Sequence, residues 1–228
     1  LCNQNYDNYE VHLNIPKNTK FDGKSDPNFV YNNSKLKIFY VDDVGPITKI
    51  YYTLKRISNM DQRVISVDDD FIYNCEMLNM YSIAIRENSN VAIGFSGIWD
   101  LKCISNCNGD IKGIDRPYTP VYVGLLQGYK SVCYKRDFFN DLFFDKWYNI
   151  FHEDDVVISS WLGYKKIKKL VISNKDEKIF TPEMLTFPLV NQIHNIKSGC
   201  FHNRQKYGNP GKTLKEFFNS PLGQYVKV

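Results

Sequence analysis

The sequence predicts a single α/β domain over residues 1–228, with a mostly parallel central sheet, flanking helices and a small antiparallel part. Two observations support this class. Short β-branched runs alternate with segments whose apolar residues recur at helical spacing, as in strand–helix–strand units. The 228 residues also include 43% hydrophobic and 24% charged residues, the composition of an ordinary globular domain with a sizeable core.

The first elements are predicted in chain order from their local patterns. Residues 10–16 alternate and stop at a proline, and residues 36–41 form a second apolar run, so both are predicted strands. The polar stretch 17–33 between them is typical of a long loop. Apolar residues at helical spacing then predict a helix over 47–57.

The same alternation continues through the rest of the chain. The further predicted elements are a strand at 64–67, a helix at 76–88, a strand at 91–95, a loop or excursion over a cleft at 96–120, a strand-and-turn unit from 121 to 128, a strand at 131–134, a short helix or turn at 136–144, an apolar run at 156–162 and a strand at 170–172. No internal repeat or domain boundary interrupts them.

Charge, hydropathy and cysteine usage argue against several classes of protein. The net charge of +4 is mild, and the basic cluster at 165–169 is typical of a solvated turn, so no nucleic-acid partner is expected. No apolar run approaches the ~18 residues of a membrane span and no signal peptide is visible, which favours a cytoplasmic protein without a transmembrane segment. The six scattered cysteines form no CxxC pair, so we expect reduced thiols and no zinc site.

An acidic cluster follows the predicted strand at 64–67. Asp68, Asp69 and Asp70 come directly after its β-branched residues. Burying several carboxylates is costly unless a cation lies among them, and carboxylate oxygens suit Mg²⁺ or Mn²⁺. Ligands bind at the carboxyl ends of strands in open α/β sheets, which favours a metal-dependent site. A solvated acidic turn is the alternative.

A second acidic cluster, Glu153, Asp154 and Asp155, opens the apolar run 156–162. Because acids at a helix start are stabilised by the helix dipole, capping is a competing explanation for Asp154. The adjacent His152 could instead tune the charge of this cluster.

Four motifs together resemble GT-A-type, metal-dependent glycosyltransferases of bacterial and large-virus polysaccharide clusters. The motifs are DVGPITK at 43–49, VDDDFIY at 67–73, GYKSVCYKR at 128–136 and EDDVVIS at 153–159. The likeness extends from about Tyr6 to Arg204. Residues 1–9 resemble the end of the first helix of that family, so its first strand, which helps to hold the nucleotide base, is expected to be missing.

The resemblance implies a GT-A fold, Rossmann-like, and transfer of a sugar from a nucleoside-diphosphate donor, with a uridine-linked donor favoured, to a glycan or protein-linked acceptor. Bound Mn²⁺ or Mg²⁺ neutralises the departing diphosphate. The resemblance further implies that Asp70 binds the metal directly, that Asp69 binds ribose or metal-bound water, and that Asp68 supports them. Lys49 is expected near the nucleotide, with an exposed helix lysine as the alternative.

Later residues complete the implied site. His202 and His194 are candidate metal ligands, although either can be an ordinary surface or core histidine. Arg204 can pair with the diphosphate, and Gly128, which opens the third motif, is placed with the donor-binding residues. Asp155 is the implied base of an inverting transfer.

Asp154 is then expected to contact or orient the acceptor. A retaining mechanism stays open. So does a catalytically weak glycan- or nucleotide-binding module that keeps the fold. Metal-dependent phosphoryl transfer is less favoured, because the chain has no P-loop and no DxDxT-like pattern.

Overall fold

The structure, a computed structural model, describes residues 1–17, 33–68, 73–98, 113–115, 117, 119–172 and 225. The strands within these ranges are β1 (Val11–Pro16), β2 (Leu36–Val41), β3 (Arg63–Ser66), β4 (Val91–Gly94), β5 (Ser96–Ile98), β6 (Gly113–Asp115), β7 (Val121–Tyr122), β8 (Leu125–Leu126), β9 (Val132–Lys135) and β10 (Lys168–Val171). The α-helices are α1 (Thr48–Arg56), α2 (Met77–Glu87) and α3 (Asp154–Tyr164). Single turns of 3₁₀-helix occupy Gly128–Lys130 and Arg136–Phe138, and a π-helical turn occupies Phe143–Trp147.

The central sheet has the strand order β3-β9-β4-β10-β7. Strands β4 and β10 are parallel, whereas β9 is antiparallel to both β3 and β4, and β7 is antiparallel to β10. The α/β class is therefore confirmed, but the sheet is mixed rather than mostly parallel. Because β9 starts at the edge where β3 and β4 end, it runs back between them without the helical crossover that a parallel neighbour needs.

Two smaller sheets accompany the central one. Strands β1 and β2 pair in parallel, and β5 pairs antiparallel with both β6 and β8. Part of the predicted loop at 96–120 is thus strand. Gly97 permits this pairing, since a Cβ at this position would lie only 2.8 Å from the carbonyl oxygen of Leu125.

The core covers both faces of the central sheet. On one face, buried residues of α1 and α3 such as Leu54 and Trp161 pack with Val132 of β9. On the other face, Met77 of α2 packs with Cys133 of β9. Neighbouring residues of β9 alternate between the two clusters, as a strand covered on both sides requires.

The structure corrects two local expectations. Residues 1–9 form turns and bends rather than the end of a helix. The Gln4 side chain instead accepts a hydrogen bond from the Leu78 amide in the first turn of α2 at 3.2 Å and donates one to the Asn74 carbonyl at 2.8 Å. The basic cluster at 165–169 is only partly solvated, because Lys169 is buried and its Nζ donates to the Ser159 carbonyl at 3.3 Å.

Among the residues that the structure describes, no helix combines the length and apolarity needed to cross a membrane. The described cysteines Cys2, Cys75 and Cys133 are free thiols.

Candidate active site

Segments that are distant in sequence meet at the edge of the sheet where β3 and β4 end. Asp68 follows β3, and the turn that starts at Gly128 leads into β9. Lys49 lies in the first turn of α1, and Asp154 and Asp155 lie in the first turn of α3. All five were predicted as site residues, and the structure brings them together.

Lys49 is at the centre of this cluster. Its Nζ lies 2.6 Å from Oδ1 of Asp68 and 2.8 Å from Oδ2 of Asp154. Burial alone disfavours the charged ammonium. The carboxylates of Asp154, Asp68 and Asp155 outweigh that effect and raise the pKa of Lys49 above its ordinary value. The alternative that Lys49 is merely an exposed helix lysine is therefore wrong.

Asp155 is held by the backbone of the neighbouring turn. Its Oδ1 accepts a hydrogen bond from the Gly128 amide at 2.9 Å. Desolvation raises the pKa of the Asp155 carboxyl well above its usual range, and the negative charge of Asp154 adds to this. The Lys49 ammonium and the Gly128 amide oppose the rise. A carboxyl group with a raised pKa is suited to accept a proton near neutral pH.

Helix capping does not explain where these acids point. The N-cap residue of α3 is Glu153, which makes no side-chain capping hydrogen bond. Asp154 and Asp155 contact Lys49 and Gly128 instead. The helix dipole still favours both negative charges. Burial lowers the pKa of His152, whose Nε2 lies 3.7 Å from Oε1 of Glu153.

A tyrosine pair, to which the sequence analysis gave no role, connects Asp68 to the turn before β9. The Asp68 amide donates to the Tyr73 hydroxyl at 2.9 Å, and this hydroxyl lies 3.4 Å from the Tyr129 carbonyl oxygen. Both tyrosines stand within the motifs at 67–73 and 128–136, which is the one signal in the sequence that points to them.

The same turn ends in an unusual backbone conformation. Ser131 has φ 101° and ψ 148°, a region that only glycine adopts freely. Such a conformation costs roughly 1–3 kcal/mol and persists only where surrounding contacts enforce it. Ser131 is fully buried, and its Oγ lies 2.8 Å from the hydroxyl of Tyr81 in α2.

The described residues do not by themselves show the metal site that the sequence predicts. Within them, no group of three or more His, Cys, Asp or Glu residues is arranged to hold a metal ion. Asp68 and Asp154 face the Lys49 ammonium, which balances their charge. Oδ2 of Asp154 is the oxygen that pairs with Lys49, although this contact does not have the geometry of a standard hydrogen bond.

The other predicted binding residues lie outside the described residues. These are Asp69, Asp70, His194, His202 and Arg204. The predicted metal ligands Asp70, His194 and His202 are all among them, so the metal site stays a prediction.

No family model matches the sequence, and no curated protein matches it. The functional assignment therefore depends on the residues and their geometry.

Proposed function

We propose that this chain is a metal-dependent glycosyltransferase with a GT-A fold. It transfers a sugar from a nucleoside-diphosphate donor, with a uridine-linked donor favoured, to a hydroxyl group of a glycan or protein-linked acceptor. The observation that carries the proposal is the convergence of Lys49, Asp68 and Asp155, which come from three separate motifs. Lys49 donates to Asp68, and the charge of Asp155, which accepts from the Gly128 amide, acts on Lys49.

Asp155 is the proposed base of an inverting displacement. It takes the proton from the acceptor hydroxyl while that oxygen attacks the anomeric carbon, and the bond to the diphosphate breaks with its electron pair on the leaving oxygen. The raised pKa of Asp155 strengthens it as a base, and its carboxylate form is populated above that pKa. The Gly128 amide keeps one carboxylate oxygen fixed and leaves the other for the acceptor.

Lys49 has a positioning role in this scheme. Its ammonium holds the Asp68 segment after β3 and the start of α3 at a fixed separation. A bound Mn²⁺ or Mg²⁺ ion supplies Lewis-acid stabilisation of the departing diphosphate, with Asp70 as the proposed ligand. Asp154, beside the base, is placed to orient the acceptor.

A panel of nucleotide sugars, each with and without Mn²⁺, tests the proposal. Nucleoside-diphosphate release is followed by chromatography with mixed glycan acceptors, and donor binding is followed by thermal shift. We expect Mn²⁺-dependent release with at least one donor. We expect Asp155→Asn to bind that donor and to lose turnover. The matched control is Asp61→Asn, because the Asp61 carboxylate is 85% exposed and pairs with Lys135 at 2.8 Å, outside the cluster.

The same experiment separates the alternative. A donor that raises the melting temperature without release under any condition identifies a binding module that retains the fold. If no donor in the panel binds and none is turned over, both functions are contradicted.

A further inference from the structure

We propose that the hydroxyl pair of Tyr81 and Ser131 is a positioning device that locks the turn at 128–131 and thereby aims groups of this turn at both acidic segments. The inference deepens the proposed function and rests on it in one respect, that Asp155 is the base. The geometry of the pair is independent of that assignment.

The backbone of Ser131 has a conformation that a serine rarely adopts. Its φ of 101° would suit glycine, which adopts such angles freely, yet the chain has a serine there. What serine adds is a hydroxyl, and this hydroxyl lies 2.8 Å from that of Tyr81. Because Ser131 and Tyr81 are 0% and 1% exposed, water does not replace this contact. The pair therefore anchors the turn to α2.

Two hydrogen bonds connect the turn to Asp155. The Ser131 amide donates to the Gly128 carbonyl at 2.9 Å and closes the turn. The amide of Gly128 then points to Oδ1 of Asp155. The fit is close, since a Cβ on Gly128 would lie 2.7 Å from that oxygen and 3.4 Å from Nζ of Lys49. A shift of the turn by a few tenths of an ångström would therefore change its contact with the Asp155 carboxylate.

The turn is also connected to Asp68, through Tyr73. The Tyr129 carbonyl lies 3.4 Å from the Tyr73 hydroxyl, which accepts a hydrogen bond from the Asp68 amide at 2.9 Å. One anchored turn thus contacts residues that position the end of β3 and the start of α3. Ser131 and Tyr81 touch neither acid themselves, so they are positioning residues.

Two substitutions isolate the device in the full-length protein. Ser131→Gly removes the hydroxyl and accommodates the backbone angle, and Tyr81→Phe removes the partner hydroxyl alone. Tyr51→Phe is the matched control, because the buried Tyr51 hydroxyl donates to the Phe144 carbonyl at 2.9 Å rather than to a residue of the turn.

Two NMR measurements report the outcome. The first is hydrogen exchange at the Gly128 amide, and the second is the titration of the Asp155 carboxyl carbon, assigned with Asp155→Asn. The other ionisable groups that influence this carboxyl are the same in every variant: Lys49, Asp68, Asp154 and Tyr134.

We expect Ser131→Gly and Tyr81→Phe to speed Gly128 exchange by roughly 10- to 100-fold, the factor that corresponds to a hydrogen bond to a charged group. We also expect both to raise the pKa of Asp155 further, because the Gly128 hydrogen bond lowers it. Tyr51→Phe should change neither. Unchanged exchange and titration in the folded variants would overturn the proposal.

If Ser131→Gly does not fold, the exchange and titration measurements on Tyr81→Phe alone test the proposal. Loss of melting temperature without a change at Gly128 and Asp155 would assign the pair a merely structural role and also overturn the inference. Absence of turnover in the unmodified protein would contradict the proposed function and leave these two measurements unaffected.

Discussion

Replacing Lys49 with methionine tests whether this ammonium balances the acidic cluster. Methionine keeps most of the apolar stem and removes the charge. Lys49 Nζ lies 2.6 Å from Asp68 and 2.8 Å from Asp154, and the three side chains are 27%, 26% and 12% exposed, respectively. The variant leaves these two carboxylates and Asp155 without their shared counter-charge.

The magnitude follows from the burial of the cluster. Breaking a fully buried pair costs about 3–5 kcal/mol, and an exposed pair contributes about 1 kcal/mol or less. For this partly buried cluster we expect Lys49→Met to cost about 2–4 kcal/mol. At 2–4 °C per kcal/mol for a domain of this size, the melting temperature falls by roughly 5–15 °C.

Urea and thermal unfolding at several pH values measure this effect. The control is Lys135→Met, whose partner Asp61 is 85% exposed, so solvent screens this pair and we expect a much smaller loss of stability. The raised pKa of Lys49 means that its contribution is present throughout the neutral range and is lost only at high pH. The raised pKa of Asp155 means that this carboxylate becomes protonated as the pH falls from neutral, so the difference from the unmodified protein should shrink in acid. A loss no larger than that of Lys135→Met, or one independent of pH, refutes the reasoning.

Asp155→Asn should stabilise the protein at neutral pH, because the raised pKa of Asp155 makes its carboxylate unfavourable there, and the gain should fade towards pH 4 in urea unfolding. Gly128→Ala should cost about 1–3 kcal/mol by thermal unfolding, since its Cβ would lie 2.7 Å from Oδ1 of Asp155; an unchanged melting temperature contradicts this. Burial lowers the pKa of Lys169 to about 8, so Lys169→Met should stabilise the protein below pH 8, and this gain in stability should disappear as the pH rises towards 10.5. A gain in stability that does not depend on pH would exclude titration of Lys169 as the cause. Asp70→Ala should abolish Mn²⁺-dependent donor binding in a thermal-shift assay while the fold persists, and unchanged Mn²⁺ dependence would show that Asp70 is not the ligand.

Much of the secondary structure could be predicted because local patterns determine it. The alternation of residues 10–16 and the helical spacing over 47–57 correspond to β1 and α1 within one residue at each end. The sheet direction could not be predicted in the same way. The insertion of β9 between β3 and β4 depends on where the turn at 128–130 places the start of β9. The spacing of apolar residues carries no information on that position.

The candidate site likewise contains residues that could be predicted from the sequence and residues that could not. Lys49, Asp68 and Asp155 were found because their residue types and order carry chemistry. The roles of Tyr73 and Ser131 could not be found, since a backbone hydrogen bond and a positive φ leave no trace in residue type. The burial of Lys169 could not be predicted, because a cluster of lysines is typical of a solvated turn. Lys165, Lys166 and Lys168 are indeed exposed, and Lys169 alone is buried.

The anomeric configuration of the product, followed over time by ¹H NMR, shows whether the transfer inverts and whether Asp155 is its base. The unmodified protein with Mn²⁺ and its donor should form a product of inverted configuration. Asp155→Asn should bind the same donor and form this product about 10²–10⁴-fold more slowly, as expected for loss of a general base. A product of retained configuration, or near-normal turnover by Asp155→Asn, would contradict the account.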